Sequence, residues 1–297
     1  MKKDYMISAF AYGGKLRVVA TQTTALTQEG CRRHQTLPTA SAALGRTLTG
    51  GILFASNLKG EEKYTIRIAG DGPVGEIVVD ANAFGNVRGY VHNGQVHFPA
   101  NAKGKLDVAR AVGTQGMIAV VKSYGPEFKF TGQTPIVSGE IAEDLANYLV
   151  NSEQIPSALA LGVLVNTNGS IAASGGYLIQ AMPGCDDATL IKVEDAVKKA
   201  RPISSMLQEG LTPETILKEL MPDGKLQFFE QKAIQFQCTC SRQRTIETLK
   251  LLGKAELLDM IATQKGADVH CNFCNEHYAF KDVELKKIIT ELDRQQH

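Results

Sequence analysis

Cys238-Thr239-Cys240, thirty further residues, and then Cys271-Asn272-Phe273-Cys274: this stretch decides how the end of the chain can fold. Four of the six cysteines lie in it. Two close thiol pairs brought together by an intervening fold supply the four soft ligands that tetrahedral zinc prefers, and such a site is closed, with no open position for a substrate. The metal is then a fastener before it is a catalyst. Two structural disulfides, or four unrelated buried thiols, are the other readings of the same cysteines. Chance rarely leaves two cysteine pairs in so short a segment. The first pair is C-x-C, where a zinc ribbon ordinarily repeats C-x-x-C. A single spacer crowds the two sulfurs, and a disulfide across it closes a small, strained ring that is easier to reduce, which is a property of a switch.

Residues 237–297 read as a zinc-binding redox-switch domain with little else to hold it. Ser241 is placed to cap a helix over 241–252, and Gly253 to stop it. A second helix over 254–263 is expected to turn Leu257, Leu258 and Ile261 inward. Segments 269–273 and 277–280 read as a hairpin whose turn holds Cys271 and Cys274, and Val283, Leu285, Ile288, Ile289 and Leu292 mark a final amphipathic helix. About a dozen apolar residues make a small core for a module of this length. The metal is expected to supply much of its folding free energy, on the order of 10 kcal/mol. His270 and His277 flank the second thiol pair and are read as hairpin surface or as neighbours of the ligands, with replacement of one ligand the lesser alternative.

Before the module, residues 184–236 read as a helical, metastable linker. Pro202, Pro213 and Pro222, with Gly210 and Gly224, chop it into pieces too short to be stable alone. Thr212-Pro213-Glu214 opens one of them, threonine capping and proline taking the first helical position. The linker carries Met206, Leu207, Ile216, Leu217, Leu220, Met221, Phe228, Phe229 and Phe236, which makes it a candidate binding surface for other exposed chains. The plainer reading, a helical subdomain packed on the first domain, describes the resting state equally well.

Residues 1–183 read as an α+β core domain, an antiparallel sheet with packed helices. Segments 5–12 and 15–20 form strands about Gly13-Gly14, Thr23 or Thr24 is placed to cap a helix to about Gln35, and the small residues of 38–58 suit a buried helix. From Lys63 the period becomes two, with strands at 76–80, 86–92 and 95–98. Hairpins follow at 117–124 with 127–131, turning at Gly125-Pro126, and at 158–165 with 171–181, turning at Asn168-Gly169. Between them Ser138 is placed to cap a helix over 140–151. Gly70-Asp71-Gly72-Pro73-Val74-Gly75 matches G-x-G-x-x-G, but a strand follows it and not the helix a dinucleotide needs, so it reads as a turn.

Of the 297 residues, 43% are apolar and 21% charged, the composition of a globular protein, and the net charge of +1 invites neither nucleic acid nor an anionic membrane. No apolar run reaches the length of a membrane span. The start, Met1-Lys2-Lys3, lacks a signal peptide's apolar length, so a cytoplasmic location is expected, where clustered thiols mean metal or redox chemistry. Cys31, beside Arg32, Arg33 and His34 that would lower its thiol pKa, is read as a core residue, and Cys185, which mixed disulfides would reach, as a bystander.

These residues resemble one family across the whole chain: the redox-regulated heat-shock holdase chaperones of bacteria, the thirty-three-kilodalton chaperones. The likeness rests on Cys238-x-Cys240 with Cys271-x-x-Cys274, on 252–257 (LGKAEL), on Phe273, Tyr278 and Phe280, on the glycine-rich 70–75 segment and on 87–91 (VRGYV). The resemblance implies one zinc per chain on the four thiolates in the reduced, inactive protein. It implies that peroxide or hypochlorous acid forms Cys238–Cys240 and Cys271–Cys274 disulfides, with zinc release and unfolding of the linker and module. A homodimer then holds unfolding client proteins without ATP, with no enzymatic activity. Two other classes remain open from the cysteines alone. A zinc-ribbon nucleic-acid binder would want a basic face, yet residues 238–297 hold nine basic and nine acidic side chains. A thiol oxidoreductase would use C-x-x-C catalytically, whereas four clustered thiols favour metal.

Overall fold

In a computed structural model the chain divides into two compact units, Met1–Gln237 and Cys238–His297. Residues 3–101, 104–125 and 128–295 are described by the structure; Met1, Lys2, Pro126 and Glu127, invoked above, fall outside them. The first unit runs β1 (Tyr5–Ala11), β2 (Leu16–Gln22), α1 (Thr24–His34), α2 (Pro38–Phe54), β3 (Lys63–Gly70), β4 (Glu76–Asn82), β5 (Asn86–Val91), α3 (Val108–Val112), β6 (Gly116–Ser123), β7 (Lys129–Pro135), α4 (Ala142–Asn151), β8 (Ser157–Val165) and β9 (Ile171–Ala181). It continues through α5 (Asp187–Lys199), α6 (Ile203–Gln208), α7 (Pro213–Leu220) and three two-residue strands, β10 (Gln227–Phe228), β11 (Lys232–Ala233) and β12 (Gln235–Phe236). The second unit holds α8 (Arg242–Gln264), β13 (Gly266–His270), β14 (His277–Lys281) and α9 (Asp282–Gln295).

Two six-stranded sheets form the first unit. Sheet A has the order β10-β1-β2-β9-β8, with β11 also on β1, and sheet B the order β12-β5-β4-β3-β6-β7. Every pairing described is antiparallel except that of β12 with β5. Between the sheets lies α2, buried along nearly its whole length. A helix enclosed on every side must be narrow, and glycine supplies the clearance. A Cβ on Gly45 would lie 2.5 Å from Thr27 of α1 and 2.9 Å from Val163 of sheet A, while one on Gly51 would lie 2.8 Å from Val79 of sheet B. The buried hydroxyls of Thr47 and Thr49 donate back to the carbonyls of Ala43 and Gly45, so no polar atom of theirs is left bare.

Segment 95–98, expected as a strand, joins no ladder. The amide N–H of Leu37 donates to the Gly94 carbonyl and that of Ala40 to the Val96 carbonyl, so this extended piece serves the open N-terminus of α2. Nor does Ser138 cap the next helix. The first helical residue is Ala142, and the Asp144 carboxylate accepts from the amides of Val137, Ser138 and Ile141. The 70–75 glycine segment is the β3–β4 connection, a turn as its following strand requires.

Each strand of sheet A sends alternate residues to two different cores. Met6, Val19 and Leu178 face α2 and sheet B, whereas Ile7, Val18, Tyr177 and Ile179 face outward. Over that outer face lie α5, α6 and α7, which bury Val193, Ile203, Met206, Leu207, Ile216, Leu217, Leu220 and Met221 against it. Beyond Leu220 the linker expected to be helical is instead turn and short strand: β10 and β11 add to the edge at β1, and β12 adds to the edge at β5, so about ten residues close one edge of each sheet. Among the described residues no helix is long and apolar enough to cross a membrane.

Gly45→Ala should destabilise the first unit even though alanine is the better helix former by about 1 kcal/mol. The overlap with Thr27 and Val163 costs about 1–3 kcal/mol, so a lower urea midpoint is expected and a higher one would contradict the enclosed position of α2. Asp4 gives a second expectation. Its carboxylate accepts from the Leu26 amide at 2.7 Å, and burial, opposed by the α1 amides, pushes its pKa from 3.8 up to about 6. The folded state therefore holds this proton more tightly than the unfolded chain. The stability it confers is full below about pH 4 and is lost as pH rises through about 6, by up to about 3 kcal/mol. Asp4→Asn should flatten that part of the stability–pH curve, which denaturation at pH 4, 5, 6 and 7 would read.

Candidate metal centre

The four clustered thiols come from two short pieces of backbone, each fixed by its own local bonds. Cys271 and Cys274 sit in the turn joining β13 to β14, where the Cys271 amide donates to the Glu276 carbonyl at 2.9 Å and the Asn275 amide to the Cys271 carbonyl at 2.7 Å. Asn275 takes the left-handed conformation, φ 57°, that this reversal needs and that asparagine tolerates. Cys238 and Cys240 lead into α8. The Ser241 hydroxyl caps that helix by accepting from the Arg244 amide, and the Arg244 guanidinium donates to the Thr239 carbonyl at 2.8 Å, which fixes the spacer between the two thiols.

Arg242 ties the two pieces together. Its guanidinium donates to the Ala279 carbonyl of β14 and to Glu284 of α9, and lies 4.2 Å over the Phe280 ring. The Tyr278 hydroxyl donates to the Cys240 sulfur at 3.3 Å. The four Sγ atoms consequently all lie within 4.8 Å of one another. Cys238 and Cys271 approach to 3.8 Å and Cys240 and Cys274 to 3.3 Å, both far beyond the roughly 2.05 Å of a covalent S–S bond. Tetrahedral zinc with bonds of about 2.3 Å sets its sulfurs about 3.8 Å apart. The donor set and its spacing fit that ion.

Electrostatics point the same way. Burial pushes the Cys274 thiol far above the ordinary thiol range, and neighbouring sulfurs add to the rise. Burial also raises Cys271, with a further contribution from Cys238. Four thiolates this close repel one another, so a cation among them is what lets the protons leave.

His270 and His277 stand outside the ligand set. Their rings stack at 4.6 Å, and Nε2 of His277 faces Asp268 at 2.8 Å. Cys31 is buried in α1, and burial raises its thiol instead of lowering it; Cys185, at the start of the linker, is likewise raised. The candidate client-binding residues are covered in this state: Met206, Leu207, Ile216, Leu217, Leu220 and Met221 are buried, and Phe228 and Phe236 are half-buried. Phe229 is exposed, its ring meeting that of Phe10 edge-on at 5.2 Å.

The interior of the second unit is as small as its length suggests. Leu249, Leu257, Ala267, Phe280, Leu285, Ile288 and Ile289 are buried, and six partly buried apolar residues surround them. Leu258 and Val283, expected inward, are exposed, because the buried faces of the two helices run through Leu257 and through Leu285, Ile288 and Ile289. The charges of this unit engage one another, as in Lys250 with Glu247 and Glu291 and Lys254 with Asp293, instead of forming a basic face. Spacing could not reveal Tyr278 and Arg242 as supports of the thiols. The register of β13 against β14 brings Tyr278 there, and the Arg242 guanidinium reaches across from α8.

Comparison with known proteins gives one answer. A family model described as Hsp33 protein matches residues 4–281. A 33 kDa chaperonin of Bacillus subtilis is 50% identical over 291 residues, covering 98% of this chain and all of the relative. One from Staphylococcus haemolyticus is 47% identical over 99% of this chain and all of its own length. The crystal structure of the 33 kDa chaperonin, a heat shock protein 33 homolog, from Thermotoga maritima superposes with a TM-score of 0.91 at 34% identity, over 97% of this chain and 99% of that one. A match that runs from β1 to β14 and takes in both units makes this chain a member of the Hsp33 family.

Proposed function

We propose that this redox-regulated chaperone rests with one zinc ion on Cys238, Cys240, Cys271 and Cys274, and that oxidation of those thiols frees residues 184–297 to hold unfolding proteins. The observation that carries the reading is the pairing of a four-sulfur cluster within 4.8 Å with a core of seven buried side chains. Zinc, when bound, keeps the four sulfurs anionic and joins the two cysteine pairs.

Oxidation acts on the chain's own atoms. In each pair two thiolates give two electrons to a peroxide, which takes up two protons and leaves as two waters, while an S–S bond forms. Cys238–Cys240 and Cys271–Cys274 are the proposed bonds. A bond within either pair closes a loop too short to restrain the rest of the chain, so only side-chain contacts such as those of Arg242 then tie β13–β14 to the start of α8. A crossed bond such as Cys240–Cys274 would keep that tie. Local pairing therefore destabilises the unit, and crossed pairing would preserve it.

Continuity of the backbone passes the change on. Phe236 of β12 lies two residues before Cys238, so the strand that closes the edge of sheet B runs directly into the first thiol pair. The linker helices are short, and polar latches hold them: Tyr5 and Gln231 both donate to Glu214, and Lys15 pairs with Asp186. Three parts are proposed, a core of 1–183, a metastable linker of 184–236 and a redox-switch module of 237–297. Release of the linker uncovers its own apolar residues and the edges at β1 and β5, surfaces suited to unfolded clients and to a homodimer of the active form. The resting state needs reduced thiols, the condition of a cytoplasm.

Reduced protein should contain about one zinc per chain, and peroxide should release it in step with a gain in suppressing the aggregation of a heat-unfolded enzyme; metal kept after all four thiols are oxidised would refute the switch. Cys274→Ser should lower zinc affinity at least tenfold and leave the module protease-sensitive without oxidant. Peptide mapping of the oxidised protein should recover bonds within each pair, and recovery of crossed bonds would overturn the proposed route to unfolding. Proteolysis after oxidation should begin beyond residue 184, and first cuts inside the core would contradict the order of release.

A further inference from the structure

Between β11 and β12 the linker crosses from sheet A to sheet B, and a cavity of about 560 Å³ lies against the crossing. One side of its wall is core, with Asp4 before β1, Leu26 of α1 and Phe84 of the β4–β5 turn; the other is linker, from Ala233 to Phe236. Backbone contacts hold the two sides together. The Ile234 amide donates to the Asp4 carbonyl at 3.3 Å, the Gln235 amide donates to the Gly85 carbonyl at 3.0 Å, and a Cβ on Gly85 would lie 2.4 Å from the Ala233 carbonyl oxygen. The volume falls within the roughly 300–1,000 Å³ of pockets that enclose small molecules. One group in this wall is left incomplete. Asp4 is 5% exposed, its Oδ2 accepts from the Leu26 amide at 2.7 Å, and its buried Oδ1 has no hydrogen-bond partner among the described residues. Only α1 amides oppose the burial that raises its pKa, and no described cation does. Glu29, also in the wall, is already paired with Arg32 and Arg33.

We propose that this cavity binds a small amphipathic amine, its ammonium on the Asp4 carboxylate and its apolar body among Leu26, Phe84 and Ile234, and that the bound amine keeps the linker seated. A carboxylate held away from water with one oxygen bare is stabilised by a cation that brings its own N–H donors. A divalent metal ion does not suit the place, because it wants about six oxygen ligands and one is on offer. The apolar side chains around that carboxylate select an ammonium carried on a hydrocarbon body over a free hydrated ion. Phe84, 65% exposed, presents its ring at the mouth, where an aromatic ligand finds a partner. The hold on the linker rests on the linker release proposed above. Half of the wall departs with the linker, so a ligand that needs both halves binds the resting state alone and opposes release by mass action.

Calorimetry on the reduced, zinc-loaded, full-length protein in an amine-free buffer at neutral pH compares phenethylamine with phenethyl alcohol, which has nearly the same shape and no charge. The amine should bind at least tenfold more tightly. Asp4→Asn keeps the outline of the side chain and should bind amine and alcohol alike. Phe84→Ala, at an exposed turn position, should weaken both at least threefold and leave the preference for the amine. Absent binding, equal binding of the two by wild type, a preference that survives D4N, or undiminished binding by F84A would overturn the site. Saturating amine should also slow proteolysis beyond residue 184 after peroxide at least threefold in wild type and not in D4N. Unchanged cutting overturns the hold on the linker. The same digestion without amine separates the two readings: an oxidised protein that stays uncut beyond residue 184 overturns the linker release and the hold with it, whereas the calorimetry decides the amine site in either case.

Discussion

Four sulfur atoms within 4.8 Å of one another cannot all be anions unless a cation lies among them, and the rest of the second unit depends on that constraint. Burial and mutual proximity raise Cys271 and Cys274. The thiols are thus reluctant acids by themselves and good ligands only in company with a metal. A core of seven buried side chains cannot make up the difference. Stability and chemical vulnerability are therefore located on the same four atoms, because the thiolate that binds metal is also the form that an oxidant attacks.

The linker is stable for a different reason. Its helices have six to thirteen residues and are seated on an apolar sheet face, and its last ten residues borrow hydrogen bonds from two sheets that do not pair with each other. Neither support is intrinsic to the segment. The contacts of Met206, Leu207, Ile216, Leu217 and Leu220 exist only while the chain lies across β1, β2, β8 and β9. Such a segment keeps its structure only through the surfaces it lies on.

Much of this was legible in the residues. The thiol spacing pointed to the metal cluster, the change from period 3.6 to period 2 at Lys63 to sheet B, and Asn168-Gly169 to the β8–β9 hairpin. What could not be read was non-local. Segment 95–98 has the alternation of a strand, but its partners are the free amides of α2, more than fifty residues away in sequence. The division of residues 1–183 between two sheets, and the bridging of both by 227–236, depend on pairings that no local pattern records. Leu258 and Val283 were misplaced because they stand one and two positions from Leu257 and Leu285, about 100° and 200° round the helix from the residues that the core covers. Tyr278 and Arg242 were invisible as supports of the thiols for a related reason, since their role is set by a two-strand register and a guanidinium's reach.

Sheet A explains how one unit can be opened without being lost. Its two faces belong to separate cores. The inner one, with α2 and sheet B, is built almost wholly from residues before the linker, Ile234 and Phe236 being the linker's contributions to it. The outer one is shared between the sheet and the linker. Removing the linker therefore strips one face while the enclosed helix and the second sheet continue to hold the other. Alternation along four strands is what makes this possible: each strand spends every second side chain on the permanent core and the rest on a surface that can be uncovered. Had the linker packed into the inner core, its departure would have unfolded sheet A along with itself.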